Sequence, residues 1–140
     1  IIANITYANI TINEPKWWSI WIGPQQQHEP GSALGDKCAL DYPISKSCPT
    51  QGCVDFQNIV LRDIVVKRPL LSPGVLLGNA SNPMGVTFEN VVVEQPGLFP
   101  FGHTYKCEHV SGTATDSTPK PPCMSASLNA GSQAAPYEGP

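Results

Sequence analysis

Three stretches of this chain repeat one arrangement of apolar and polar positions. Ile5-Thr6-Tyr7-Ala8-Asn9-Ile10-Thr11-Ile12 is followed by Val54-Asp55-Phe56-Gln57-Asn58-Ile59-Val60-Leu61 and by Val86-Thr87-Phe88-Glu89-Asn90-Val91-Val92-Val93. A degenerate copy ends the series at Tyr105-Lys106-Cys107-Glu108-His109-Val110-Ser111-Gly112. Alternation with period two describes a strand with one buried face and one wet face. The Asn interrupts that alternation. Asn tolerates a left-handed backbone and bonds its own neighbours, so each copy reads as strand, bend, strand. Self-similarity of this kind signals a repeat architecture.

Stacking the copies like on like predicts four ladders. One is Ile5, Val54 and Val86, and a second is Tyr7, Phe56, Phe88 and Cys107. A third is Asn9, Asn58 and Asn90, ending in His109, and a fourth is Ile10, Ile59, Val91 and Val110. Each buried apolar side chain contributes about 1.5–3 kcal/mol. Amides in the Asn ladder satisfy one another up and down the stack. A β-sandwich has no need of Asn at the same place in every copy, so the expected fold is an all-β parallel β-helix. Ile20-Trp21-Ile22-Gly23 and Val75-Leu76-Leu77-Gly78 take matching places as a further strand of each coil. The longer gap between the first two copies places a loop insertion at about 24–53. No stretch shows a helical period, and Pro is too frequent for long helices.

Composition narrows the setting. Of 140 residues only 14% are charged, against about 25% in ordinary soluble proteins, while Pro (15) and Gly (12) are abundant. Ser, Thr, Asn and Gln must therefore cover the surface, as in many secreted β-proteins. The net charge of −3 comes with no basic stripe, which argues against nucleic acid as a partner. No apolar run approaches the roughly 20 residues that span a bilayer. The five cysteines, Cys38, Cys48, Cys53, Cys107 and Cys123, lack the spacing of paired zinc ligands and read as disulfides of an oxidising compartment. Within the insertion, Cys38 with Cys48 is the first choice and Cys48 with Cys53 the alternative. Sequons stand at Asn4, Asn9 and Asn79. Asn9 belongs to the internal ladder, which leaves Asn79, after a Gly-bounded turn, and Asn4 as glycosylation candidates. Ile1-Ile2 begins inside a strand with no polar cap. That edge is expected to be covered by preceding coils of the same protein or by a neighbouring chain.

The first copy, Ile1 through Ile12 followed by Ser19-Ile20-Trp21-Ile22, resembles the polygalacturonase-like glycoside hydrolases. In that family a similar Asn-Ile-Thr-aromatic-x-Asn-Ile coil precedes a short Ile-x-Ile strand. Cys107-Glu108-His109-Val110-Ser111-Gly112 with Pro119 to Cys123 is similar to the family's C-terminal closure. The resemblance covers residues 1–123. It implies a right-handed parallel β-helix, C-terminal coils of it, and an extended C-terminal tail. The family's Asn-x-Asp, Asp-Asp, Gly-His-Gly and Arg-Ile-Lys motifs do not occur in the chain. Gly102-His103-Thr104 and Arg62-Asp63-Ile64 depart from the last two, and Gly23-Pro24-Gln25-Gln26 stands where Asp-Gln-x-Tyr is common.

Glycoside hydrolysis needs two or three carboxylates around one bond. By phase, Asp55 and Glu89 project outward from stacked strands, yet neither row holds a His or Arg partner, so they read as solvated acids. Catalytic residues are therefore expected to be absent, and the chain alone to be inactive. Trp17, Trp21 and Gln26 are the candidate carbohydrate contacts, because an exposed indole stacks on a sugar ring. Lys67-Arg68 reads as a turn. His28, His103 and His109 are scattered and form no metal set, and no cofactor is implied.

Residues 1–112 are thus expected to form β-helix coils, and residues 113–140 a Pro/Ser/Ala-rich cap and tail. Cys107 is expected to point inward in the last coil and to bond Cys123, pinning residues 113–123 across the open end. Pro119, Pro121 and Pro122 favour a crossing there without strand pairing. The functional expectation is an extracellular, polysaccharide-directed protein of which this stretch is a non-catalytic C-terminal portion. The alternative is a structural or carbohydrate-binding subunit of a wall, sheath or filament.

Overall fold

The computed structural model describes residues 1–24 and 54–124. Eight strands occur among them: β1 (Ile2–Asn13), β2 (Trp21–Ile22), β3 (Phe56–Lys67), β4 (Val75–Leu77), β5 (Met84–Glu94), β6 (Lys106–Glu108), β7 (Val110–Ser111) and β8 (Ala114–Thr115). They form two parallel sheets. The wide one runs β1-β3-β5-β7 with β8 also on β5, and the narrow one runs β2-β4-β6. The chain alternates between sheets, and each visit lands one strand further along. The expected all-β, parallel architecture is therefore present.

The long strands bend at left-handed residues spaced five apart. These are Asn4, Asn9 and Glu14 in and just after β1, and Asn58, Asp63 and Arg68 in and just after β3. Asn90 and Gln95 follow at β5, and Asp116 after β8. Each bend resets the alternation. Along β3 the inward residues are Ile59, Leu61, Ile64 and Val66, all buried, while Arg62 and Asp63 are exposed. β5 repeats the spacing with Val86, Phe88, Val91 and Val93. The broken phase keeps apolar side chains on one side while the sheet turns around them.

Register corrects the ladders read from the sequence. Ile5 pairs with Ile59 and Tyr7 with Leu61, not with Val54 and Phe56. Ile59 pairs with Val86 and Leu61 with Phe88. Asn9, Asn58 and Asn90 are therefore not one ladder. Asn58 Nδ2 donates to Asn4 Oδ1 at 2.9 Å, and Asn90 Nδ2 donates to Asp63 Oδ1 at 3.0 Å. The physical reason is that each strand bends more than once. The Asn of the middle copy marks its first bend, whereas Asp63 supplies the second. Cys107 also leaves its expected ladder: β6 lies in the narrow sheet, where Cys107 pairs with Leu76, itself paired with Ile22. His109 precedes Val110, which pairs with Met84 rather than Val91, so His109 stands outside the Asn90 bend. In the narrow sheet Trp21 pairs with Val75, one residue away from the expected match of Ile20 with Val75.

The core lies between the sheets. Phe88 from the wide sheet meets Tyr105, just before β6, edge to face with centroids 5.6 Å apart. Gly74 makes the narrow sheet's approach possible: a Cβ there would stand 2.9 Å from the Ile20 carbonyl oxygen and 3.0 Å from the Tyr105 ring. Along the stack the inward side chains shrink. Phe88 pairs with Ala114, and Gly112 packs so closely on the Val86 carbonyl that no Cβ fits. Pro119, Pro121 and Pro122 suggested an unpaired crossing over residues 113–123, but residues 113–118 pair with β5. Phe88 N–H donates to the Thr113 carbonyl at 2.9 Å, and Val93 N–H to the Thr118 carbonyl at 2.8 Å. The segment runs beside β5 because its prolines fall only from Pro119 onward. Cys107 is joined to Cys123 by a disulfide, with Cα atoms 5.9 Å apart, and Pro121 and Met124 are buried beside it. Cys38 and Cys48 lie outside the described residues.

Two outcomes test this frame. Asn90→Gly should stay within about 1 kcal/mol of native stability, since Gly adopts the left-handed bend freely. Asn90→Val should cost about 2 kcal/mol by urea unfolding, because a β-branched residue resists that backbone. Burial pushes the Tyr105 phenol well above its ordinary value by desolvation. An unfolded Tyr ionises near pH 10. Stability is then full below about pH 10 and falls as pH rises further, because the unfolded state releases a proton that the folded state keeps. Tyr105→Phe should flatten that decline and leave neutral-pH stability within about 1 kcal/mol, since the hydroxyl is buried with no hydrogen-bond partner among the described residues.

Candidate functional site

The narrow sheet is three strands of two or three residues, and alternation sends its side chains to two faces. Ile22, Leu76 and Cys107 point to the core. Trp21, Val75 and Lys106 form one row of the other face, and Leu77 with Glu108 form the next. Val75 and Leu77 are nonetheless fully buried. Trp18, Trp21 and Phe101 cover them from outside. The Trp18 ring lies 6.1 Å from Trp21 at 50° and stacks on Phe101 at 6.0 Å and 24°.

This aromatic layer is held in place from several directions. Trp21 Nε1 donates to the Pro24 carbonyl at 3.0 Å. Phe101 N–H donates to Ser72 Oγ at 2.8 Å, and Ser72 N–H to the Phe99 carbonyl at 2.8 Å. Lys106 Nζ lies 5.9 Å from the centre of the Phe101 ring and 2.7 Å from Glu108 Oε2. Both charged side chains are partly in water, so the ion pair contributes at most about 1 kcal/mol. It does place one cation and one anion at the rim of an aromatic surface. Trp18 Nε1 and Ser19 Oγ are buried with no partner among the described residues.

Trp17 stays 37% exposed at the corner preceding this face. The corners stack through backbone bonds, Leu70 N–H to the Pro15 carbonyl and Gly97 N–H to the Pro69 carbonyl, each at 3.1 Å. They bring Leu70, Leu98 and Phe99 to the surface. The structure thus sets Trp21 in the cluster and Trp17 in a corner next to it. Trp21 is half buried, so only part of its indole is open to solvent. Phe101 was not singled out in the sequence, and Trp18, which belongs with Trp17 and Trp21 to its richest aromatic cluster, was given no contact role. Their signal was Trp18 beside Trp17 and the Phe99-Pro100-Phe101 run, but a corner loop gives no period from which to read orientation. Gln26 lies outside the described residues.

Among the described residues the carboxylates do not converge. Glu89 accepts from Arg62 Nε at 2.6 Å in the wide sheet, an Arg partner that the sequence reading denied it. The register, which sets Arg62 rather than Asp55 beside Glu89, supplies it. Asp55 accepts from Gln57 before β3 begins. Arg68 sits in a bend and donates twice to Glu14 Oε2, at 3.1 and 2.9 Å. No group of three His, Cys, Asp or Glu residues suited to a metal occurs among the described residues.

A second feature is the β1–β2 end of the stack. Tyr7 is 51% exposed although it belongs to the inward row. Two cavities open there between β1, β2 and β3. One of about 230 Å³ is lined by Tyr7, Ile10, Ile12, Ser19, Ile20 and Leu61, among others. One of about 200 Å³ is lined by Ile2, Ile5, Phe56, Ile59 and again Tyr7, Trp21 and Ile22. No family model, curated protein or solved structure matches the chain.

Proposed function

We propose that the chain is a C-terminal, non-catalytic portion of an extracellular, polygalacturonase-like right-handed β-helix protein directed at polysaccharide. The alternating visits to two parallel sheets support the coil reading, and crossovers between parallel strands are right-handed almost without exception. The observation that carries the function is the aromatic face of the narrow sheet. Trp18, Trp21 and Phe101 are rigid rings with an ion pair at their rim. Aromatic faces take the apolar face of a sugar ring, and a fixed charge pair orients its hydroxyls or carboxylates. In this reading Asn79, whose Oδ1 accepts from the Ser81 N–H in an exposed turn, carries a glycan, whereas Asn4, whose Oδ1 accepts from Asn58 Nδ2 at a bend, belongs to the ladder as Asn9 was expected to and is the weaker candidate. Among the described residues, the dispersed carboxylates favour one variant of the proposal, in which the chain binds or builds without cleaving.

Affinity electrophoresis through gels cast with polygalacturonate or a neutral glucan tests the reading. Retardation by at least one polymer is expected, with Trp17→Ala and Trp21→Ala each weakening binding by about two- to tenfold. Unaltered mobility in every polymer would sink the proposal. Sugar release by the purified chain that disappears in Asp55→Asn or Glu89→Gln would replace the non-catalytic reading with an enzymatic one.

A further inference from the structure

We infer that the corner side of the stack, around Leu70, Leu98 and Phe99, docks on the same side of a second copy of this chain, turned end for end. This surface is distinct from the aromatic face of the narrow sheet, and the inference stands whatever that face binds.

Three corners follow the last bends of β1, β3 and β5, and they open alike: Glu14-Pro15-Lys16, Arg68-Pro69-Leu70 and Gln95-Pro96-Gly97. The first residue of each is left-handed, and the proline after it fixes where the chain leaves the sheet. Apolar exposure then rises along the row. Lys16 stands in the first corner, Leu70 in the second, and Leu98, 67% exposed, with Phe99 in the third. Bonds from Gly97 N–H to the Pro69 and Leu71 carbonyls set the Leu98 backbone next to Leu70. Contiguous apolar surface of this kind, rimmed by charge, marks an interaction site.

The same side of the molecule carries a knob and a hole. The hole is a cleft of about 210 Å³ between the first two corners, lined by Glu14, Pro15, Lys16, Arg68 and Leu70. The knob is Leu98. Its backbone is held on one side by the Gly97 bonds and on the other by Gly102 N–H, which donates to the Leu98 carbonyl at 2.6 Å. A knob fixed in this way loses little freedom on docking. Because knob and hole share one side of one chain, a match between copies closes as a two-fold pair and does not run on as a filament.

The charges choose the direction. Lys16 in the first corner and Glu94 at the entrance to the third are exposed and have no ion-pair partner among the described residues. Two copies with their stacks running the same way would bring Lys16 to Lys16 and Leu98 to Leu98, away from both clefts. Turning one copy end for end about Leu70 brings Leu98 to the end of the other copy that holds the cleft and Trp17. It also brings Lys16 to the end that carries Glu94. Arg68 then lies near its own counterpart, but Glu14 neutralises it in each copy. A lipid surface fits less well. Lys16, Lys67 and Arg68 are interspersed with Glu14 and Glu94, so the rim offers an anionic bilayer little net charge.

Sedimentation of the 140-residue chain over a concentration series tests the pairing. A monomer–dimer equilibrium is expected, with a Kd of roughly 10–100 µM, because the surface is at the small end of protein interfaces. Leu98→Asp, at a position already open to water, should keep the melting temperature and weaken dimerisation by about tenfold or more. Lys16→Glu and Glu94→Lys should each weaken it by about threefold at low salt, and the two together should restore it. Only the end-for-end pair gives that rescue, since copies running the same way bring like residues together. A chain still monomeric at about 1 mM overturns the proposal. Phosphatidylserine vesicles that capture such a monomer, but not its Leu98→Asp variant, assign the surface to lipid instead. A dimer indifferent to Leu98→Asp, or one whose charge reversals show no rescue, overturns it as well.

Discussion

A single backbone constraint organises this molecule: a residue in the left-handed region at every fifth position of its long strands. An uninterrupted strand would send alternate residues to opposite faces along its whole length and produce a flat sheet. Resetting the phase at Asn9, Asp63 and Asn90 returns the next residue to the inside, so Ile10, Ile64 and Val91 continue the core begun by Tyr7, Leu61 and Phe88. The cost of that backbone is small for Asn and Asp, about 1–2 kcal/mol for most others, and amide bonding along the stack offsets part of it. At the third bend Glu14, Arg68 and Gln95 adopt it without an Asn, and the Arg68–Glu14 pair spans the first two.

From that geometry the rest follows. Strands in register stack branched side chains on their own kind, which gives the wide sheet its dry interior. The narrow sheet closes over it, and Gly74 lets Tyr105 reach Phe88. Residues 113–118 then use the same pairing with small side chains, so the interior narrows as it ends. The disulfide between Cys107 and Cys123 closes a short loop there. In the chain-entropy model such a link stabilises by about 3 kcal/mol. It ties the narrow sheet to the segment that follows the wide one.

Much of this was legible. Alternation, the recurring Asn and the Cys107–Cys123 closure could all be read from residue order. Register could not, because the strand phrase is nearly invariant under a shift of five. Asn58 opens β3 as Asn4 opens β1, yet its neighbours Phe56 and Ile59 imitate Tyr7 and Ile10. Asp63 would have settled the matter had it been read as a left-handed residue rather than as a charge. The aromatic face was half legible. Trp21 lies in a strand and has a phase, whereas Trp18 and Phe101 sit in corners whose conformation is set by bonds to Pro15, Pro69 and Ser72. Those partners are distant in sequence and carry no periodic mark.

The narrowing of the interior gives the stack a direction. The stretch from β3 to β4 has a parallel strand on each side in both sheets, so duplicating it would widen the sheets without disturbing either junction. The segment after β6 has no such freedom. Gly112 and Ala114 fit only against Val86 and Phe88, and a second copy of them would have nothing large enough to rest on. Over evolutionary time, strands can therefore be gained by duplication in the middle, while the segment carrying Gly112 and Ala114 is inherited together with the strand it rests on.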